Sequence, residues 1–142
     1  MAKIITPATA GVYSYGEHRD CTVRALSNST GLQYANAHAI LKKHGRKDKR
    51  GCTFNVWHDA YTEAGMSLIG VYGTTHSARM MARGVSVVAQ DGVTLGRMLP
   101  KLASGSYIVI IRGHALAVIN GAIVDMNLNR INSRVIAVYK RS

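Results

Sequence analysis

The sequence predicts a single α+β domain, in which helices come first and an antiparallel β-sheet follows. Apolar residues recur at helical spacing over 20–64, whereas short β-rich segments separated by turn residues fill 106–140. Helices followed by strands are typical of the α+β class. The chain of 142 residues contains no repeat and no low-complexity linker. This length suffices to bury one core, so we expect one domain over residues 1–142.

Three helices are predicted in the first half of the chain. The first covers about 20–29, and the carboxylate of Asp20 is suited to cap its first turn. The second covers about 32–44 and stops where Gly45 fits a left-handed conformation. The third covers 53–64, with apolar side chains along one side.

The middle of the chain predicts one strand and one short helix, with an ambiguous stretch between them. Residues 67–72 are β-rich, while 73–84 is compatible with either a loop or a short helix. After a turn at 91–92, Thr94 is suited to cap a short helix. The apolar residues of that helix are Leu95, Met98, Leu99 and Leu102.

Four β-rich segments in the last third predict an antiparallel meander, since only a few turn residues separate each from the next. These segments are 106–112, 114–119, 122–126 and 134–140. Asn120 and Gly121 lie between two of them, and Asn-Gly is the strongest short-range signal for a two-residue hairpin turn. We therefore expect Ile119 to face Ala122 across that turn.

The register of this hairpin predicts a histidine beside a carboxylate and an amide. Counting back from the turn pairs Val118 with Ile123 and His114 with Asn127. Because side chains alternate along a strand, one face carries His114, Leu116, Val118, Ile123, Asp125 and Asn127. Asp125 is then diagonal to His114 and able to orient it as a base. The alternative is that His114 begins a strand near solvent and that Asp125 is merely solvated.

Cys21 is the candidate nucleophile. It opens the first predicted helix, where the helix N-terminus lowers the pKa of a thiol and an adjacent imidazolium lowers it further. His114 is the candidate source of that imidazolium. The alternative is that Cys21 is a small apolar side chain at the start of a core helix. We expect Cys52 to be an incidental or packed thiol, because neither a helix N-terminus nor a histidine is clearly placed beside it.

Cysteine content and hydropathy predict a soluble protein of a reducing compartment. Two cysteines in this chain are too few for a disulfide framework, and their spacing matches no zinc motif. His38, His44, His58 and His76 are scattered and lack ligand spacing, so we expect no metal and no cofactor. The longest apolar run, 107–111, is far too short to span a bilayer. We therefore expect no membrane partner and a cytoplasmic location.

The formal charge of +11 is large for this chain length and indicates either an anionic partner such as nucleic acid or a solvated basic surface. Charge is concentrated in 42–50, where no aromatic residue is interleaved to stack on bases. The candidate contacts to nucleic acid are Lys42, Lys43, Arg46, Lys47, Lys49 and Arg50.

The order of the candidate residues resembles that of the papain-like cysteine peptidase superfamily. The resemblance covers roughly 13–127 and rests on DC opening a helix, GSYIVII as a strand and GHALAVINGAIVD as a hairpin. These motifs are similar to those of small bacteriophage-encoded proteins. The resemblance implies a papain-like fold with a catalytic triad of Cys21, His114 and Asp125. It also implies a protein or peptide substrate, hydrolysis of a peptide or isopeptide bond or transfer to an amine, and action in a host cytoplasm.

The sequence departs from the papain-like pattern at the position that stabilises the oxyanion. Members commonly carry a Gln or Asn a few residues before the cysteine, and GVYSYGEHRDC contains neither. Tyr15 or His18, together with the backbone N–H of Cys21, could serve instead, and Asn127 is a further candidate for orienting the histidine. The alternative is a catalytically inactive papain-like protein that binds a host protein or nucleic acid through its basic surface.

Overall fold

A computed structural model describes residues 3–5, 21–47, 53–85, 89–102, 104–124 and 131–141. The helices are α1 (Cys21–Thr30), α2 (Tyr34–Lys43), α3 (Phe54–Glu63), α4 (Thr74–Ala82) and α5 (Leu95–Met98), the last continued by a 3₁₀ turn over Leu99–Leu102. The strands are β1 (Lys3–Ile5), β2 (Met66–Tyr72), β3 (Ala89–Gln90), β4 (Ser106–Ile111), β5 (His114–Ile119), β6 (Ala122–Val124) and β7 (Val135–Arg141).

The strands form one open sheet in the order β1-β6-β5-β4-β7-β2-β3. The five strands from β6 to β2 are antiparallel, whereas β1 and β3 pair in parallel at the two edges. The predicted α+β class is therefore confirmed. The three helices predicted before residue 65 are also present, and the ambiguous stretch 73–84 contains α4.

The predicted meander is correct for β4, β5 and β6 and wrong for the last strand. Strand β7 does not continue beside β6 but pairs with the other edge of β4, and β2 from the first half of the chain adds beyond it. Because β4 is buried, its second row of backbone hydrogen-bonding groups needs a partner, and β7 supplies one. Strand β1 was not predicted and pairs with β6.

The Asn-Gly hairpin has the predicted register. Asn120 has a φ of 50° and Gly121 a φ of 81°, so both central residues adopt the positive φ of a type I′ turn. Val118 pairs with Ile123 and Ile119 with Ala122. The predicted pairings beyond Val124 lie outside the described residues.

Two hydrophobic clusters cover the two faces of the sheet. The first lies between the sheet and α1, α2 and α3, and the second lies between the sheet and α5 with its 3₁₀ turn. Strand β4 contributes to both by alternation, with Ile108 and Ile110 in the first and Val109 and Ile111 in the second. Fully burying such side chains stabilises the fold by about 1.5–3 kcal/mol each.

Helix α1 packs mainly on β5, which positions its first residue near the start of that strand. Val23 and Leu26 are completely buried, and the strand presents the small side chains of Ala115 and Ala117. Small residues let a helix approach a strand closely. The first turn of α1 therefore lies at the end of the sheet where β4 turns into β5.

The cap predicted for the short helix α5 is wrong in its chemistry. Thr94 occupies the N-cap position, but its side chain makes no capping hydrogen bond. The chain at 131–133 satisfies the first turn instead, because Leu95 N–H donates to Ser133 O at 2.9 Å and Gly96 N–H donates to Ile131 O at 2.8 Å. The predicted cap Asp20 lies outside the described residues.

Within the part of the chain that is described, no helix has both the length and the apolar character to cross a membrane.

Candidate active site

Cys21 is the first residue of α1 and is half-buried. Its thiol therefore meets the positive end of the helix macrodipole, which favours a thiolate. The first turn of α1 is tied to α3, because the buried Tyr61 donates its phenolic hydrogen to Thr22 O at 3.0 Å. This contact fixes the segment that carries the thiol.

His114 is the first residue of β5 and reaches the thiol across the end of the sheet. It follows the turn at Arg112 and Gly113, where Gly113 has a φ of +75°, and it pairs with Ile111 of β4. The His114 imidazole forms a hydrogen bond with the Cys21 thiol, and the backbone N–H of Ala115 donates to the same sulfur. Two neighbouring residues of one strand thus hold the sulfur.

The pKa of the Cys21 thiol results from opposing effects. Burial raises this pKa, but the hydrogen bond and charge of His114 lower it, as do the backbone N–H of Ala115 and the charge of Arg24. The lowering effects prevail, so the pKa lies below that of an ordinary thiol. A lowered pKa increases the fraction of thiolate, the nucleophilic form, at neutral pH.

Cys21 and His114 line a cleft with a volume of about 490 Å³. This volume lies in the range of about 300–1,000 Å³ that is typical of small-ligand sites. Its other lining residues are Thr22, Thr53, Phe54, Trp57, Arg79, Ile110, Ile111, Arg112, Gly113, Ala115 and Ile136. The thiol and the imidazole therefore lie beside a space that a small group can enter.

An aromatic cluster supports the Trp57 wall of this cleft. Trp57 meets Tyr139 edge-on, with ring centroids 6.0 Å apart and an interplanar angle of 87°. The Tyr139 hydroxyl lies 2.6 Å from His58 Nδ1. Burial raises the pKa of Tyr139 and lowers the pKa of His58, so the phenol keeps its proton and the neutral imidazole is able to accept it. The wall is thereby fixed without buried charge.

The structure brings together two of the six candidate site residues, Cys21 and His114. Tyr15, His18, Asp125 and Asn127 lie outside the described residues, as does Cys52. The catalytic role of the cysteine and the histidine remains a prediction. Among the described residues, no group of three or more His, Cys, Asp or Glu side chains could hold a metal ion.

One of the six residues predicted to form a basic surface, Arg46, is buried. Arg46 is only 3% exposed, because the turn at Gly45 folds the chain back on α2, where Arg46 N–H donates to Leu41 O at 2.9 Å. Lys42, Lys43 and Lys47 are exposed, whereas Lys49 and Arg50 lie outside the described residues. Lys43 is paired with Glu63 at 2.7 Å.

Sequence reasoning missed the residues that shape the cleft around the thiol. The segment that carries Arg79 was ambiguous between loop and helix, so its position could not be assigned. Arg112 precedes the histidine by two residues, and that proximity was the one signal that could have found it. Trp57 lies on the apolar side of the third predicted helix, where a core residue and a cleft residue give the same pattern. No family model, curated protein or solved structure matches this chain.

Proposed function

We propose that this protein is a papain-like cysteine-dependent hydrolase of peptide or isopeptide bonds. The observation that carries the proposal is the hydrogen bond between the Cys21 thiol and the His114 imidazole, in a cleft where the thiol pKa is lowered. A nucleophile within hydrogen-bonding reach of a base is the arrangement that covalent acyl transfer requires.

In the first half of the proposed reaction, the Cys21 thiolate attacks the substrate carbonyl carbon. A carbon–sulfur bond forms and the carbonyl π electrons move to oxygen, where the proposal assigns the backbone N–H of Cys21 to stabilise the charge. As the tetrahedral intermediate collapses, the carbon–nitrogen bond breaks and His114 gives its proton to the departing amine. The products of this half are a free amine and a thioester on Cys21.

In the second half, water replaces the amine. His114 removes a proton from the water as its oxygen attacks the thioester carbon, and the carbon–sulfur bond then breaks. The released acid and the Cys21 thiolate restore the starting state, with His114 again protonated. An amine in place of water would give transfer by the same steps.

The proposal assigns Asp125 the role of orienting His114. Its support is the observed pairing of Val118 with Ile123 and of Ala117 with Val124. Continued by one residue, that register would place Asp125 opposite Leu116, on the face that also carries His114. Action in a reducing compartment, such as the cytoplasm of a phage host, belongs to the same proposal, because the thiol must stay unoxidised.

Alkylation of the native protein tests this proposal. Iodoacetamide at neutral pH, followed by peptide mapping, should label Cys21 at least about tenfold faster than Cys52, since the thiolate is the reactive form. His114→Ala should abolish the difference. His44→Ala, which removes an imidazole at the end of α2, is the matched control and should preserve it. Equal labelling of both cysteines in the native chain would contradict the proposal.

The charge of +11 favours a second candidate function, namely nucleic-acid binding through the exposed Lys42 and Lys47. Binding of DNA or RNA that weakens steeply with salt and survives Cys21→Ser would support it. Binding that is absent at low salt would exclude it.

A further inference from the structure

We propose that the cleft selects acyl donors that carry a carboxylate side chain within two residues of the attacked carbonyl. Arg79 and Arg112 would bind that carboxylate. This inference rests on the proposed function, since it concerns the substrate of the same thiol. It makes an acidic peptide, rather than a basic or a neutral one, the preferred substrate class.

The charge of the cleft supports an anionic side chain. The described lining residues include two arginines, Arg79 of α4 and Arg112 of the turn between β4 and β5, and no carboxylate. Neither arginine forms an ion pair with any residue that the structure describes. By contrast, Arg83 one turn further along the chain is paired with Asp59 at 3.0 Å. The two cleft arginines are thus available to a ligand.

Neither of these arginines is among the groups that lower the pKa of the Cys21 thiol. The positive charges that lower the pKa of Cys21 are those of His114 and Arg24. Arg79 and Arg112 line the same cleft but contribute no such effect. A guanidinium offers a planar pair of N–H donors that matches a carboxylate. We therefore assign the two guanidinium groups to a carboxylate of the substrate.

The apolar part of the lining matches the stem of such a side chain. Phe54, Trp57, Ile110 and Ile136 line the same cleft as the two arginines and Cys21, so methylene groups can be buried there while the carboxylate meets a guanidinium. Since the whole cleft measures about 490 Å³, a group bound in it belongs to a residue close to the attacked bond.

A nucleic-acid phosphate is a less suitable occupant. Binding of single-stranded nucleic acid commonly relies on aromatic faces on which bases stack. Trp57 is only 5% exposed and meets both Phe54 and Tyr139 edge-on. The cleft therefore offers no open indole face for a base, which favours a peptide carboxylate.

Four acetyl-dipeptide vinyl sulfones test the inference. Two carry Glu at the residue next to the sulfone or at the residue before it, and two carry the isosteric Gln at the same positions. The Cys21 thiolate adds to the vinyl carbon bonded to the peptide, the carbon–carbon π bond breaks, and the carbon beside the sulfone takes up the proton of His114. The measured quantity is the second-order rate constant of Cys21 labelling, in the native chain, in R79Q/R112Q and in the charge-matched control R97Q/K101Q. The control residues are exposed and lie beside the opposite face of the sheet.

At one position or both, the Glu probe should label the native chain at least about tenfold faster than its Gln counterpart, as expected for charge-assisted hydrogen bonds. The preference should fall to about twofold or less in R79Q/R112Q and persist in R97Q/K101Q. Three outcomes would overturn the inference: a ratio of Glu to Gln labelling rates near one in the native chain, a ratio that stays high in R79Q/R112Q, or no labelling by any of the four probes.

Iodoacetamide separates this inference from the proposed function. If iodoacetamide labels Cys21 fast and in a His114-dependent way but the Glu probes are not preferred, the inference of an acidic substrate is refuted and the proposed function is not. Ordinary iodoacetamide reactivity at Cys21 would remove the proposed function and, with it, this inference. Because iodoacetamide is neutral and small, its rate with R79Q/R112Q should match that of the native chain.

Discussion

The two faces of the central sheet are built by the same strands but differ in chemistry. Under α5, the buried side chains are aliphatic apart from Met98 and Tyr107. Under α1, α2 and α3, the core contains Trp57, Tyr61 and Tyr139. This face also includes helices with buried polar residues, namely Thr22, Arg24, Ser27, Ser29 and His38.

The difference shows where the molecule can support chemistry. An aliphatic layer needs matching volumes and gives stability alone. The helical face also needs hydrogen-bond partners in fixed places, such as the contact between Tyr61 and Thr22 O, and its cleft opens at the end that carries Cys21. Substitutions on the two faces should therefore separate stability from reactivity.

The largest effect is expected on reactivity, in the cleft where Cys21 and His114 meet. His114→Ala should slow the acylation of Cys21 by p-nitrophenyl acetate by about 10²–10⁴-fold, because the base and the positive charge beside the sulfur are both lost. The release of p-nitrophenolate measures the rate. Since His114 is only half-buried, the free energy of unfolding in urea should change by less than about 1 kcal/mol. An acylation rate within about threefold of the native value would contradict the expected dependence of Cys21 reactivity on His114.

The aliphatic face should show the opposite result. Leu116 is 1% exposed within the second cluster, so Leu116→Ala should lower the free energy of unfolding by about 2–5 kcal/mol, through lost burial and a new cavity. Urea denaturation measures this, and the acylation rate of the folded fraction should stay within about twofold. Ile119→Ala, at the half-buried end of the same strand, should cost less. Equal costs at the two positions would contradict the assigned burial.

A smaller effect is expected at the hydrogen bond that fixes the segment carrying Cys21. Tyr61→Phe removes the hydrogen bond to Thr22 O and should lower the free energy of unfolding by about 0.5–1.5 kcal/mol. It should also slow alkylation of Cys21, because the first turn of α1 loses its tie to α3. Tyr72→Phe on β2 is the matched control and should leave the alkylation rate unchanged. A drop in stability with no change in alkylation would show that the tie is structural only.

The smallest effect is expected at the surface, away from both faces. Lys43→Gln breaks an exposed ion pair with Glu63 and should lower the free energy of unfolding by less than about 1 kcal/mol. Lys47→Gln, at an exposed lysine, should have no measurable effect at low salt. If Lys43→Gln cost more than Leu116→Ala, the surface rather than the sheet faces would dominate stability.

Local signals explain what the sequence could predict. The Asn-Gly turn determines the hairpin register within a few residues, and apolar spacing located α1, α2 and α3. The start of a helix near Cys21 and of a strand at His114 was readable from the same local signals, whereas the hydrogen bond between the two residues is nonlocal and was expected only as a hypothesis.

Nonlocal pairings explain what the sequence could not predict. The residues next to β7 in the sequence do not determine whether it pairs with β6 or with β4, since both strands have an edge that accepts an antiparallel partner. The burial of Arg46 depends on the turn at Gly45, and the position of Arg79 depends on how α4 packs. The positions of β7 and Arg79 are decided by chain segments far away in sequence, whereas the burial of Arg46 follows from how its own turn packs. Asp125 and the oxyanion candidates remain predictions.

The pH dependence of Cys21 alkylation tests the central claim most directly. The rate of iodoacetamide labelling is measured between pH 5 and pH 10 in the native chain and in His114→Ala, with N-acetylcysteine as the free-thiol reference. Because His114, the backbone N–H of Ala115 and the charge of Arg24 together outweigh the effect of burial on the Cys21 pKa, the native inflection should lie below that of the reference. The inflection of the variant should lie at a higher pH than that of the native chain, because the hydrogen bond and the charge of His114 are lost. Coincident inflections in the native chain and the variant would contradict the pairing of Cys21 with His114.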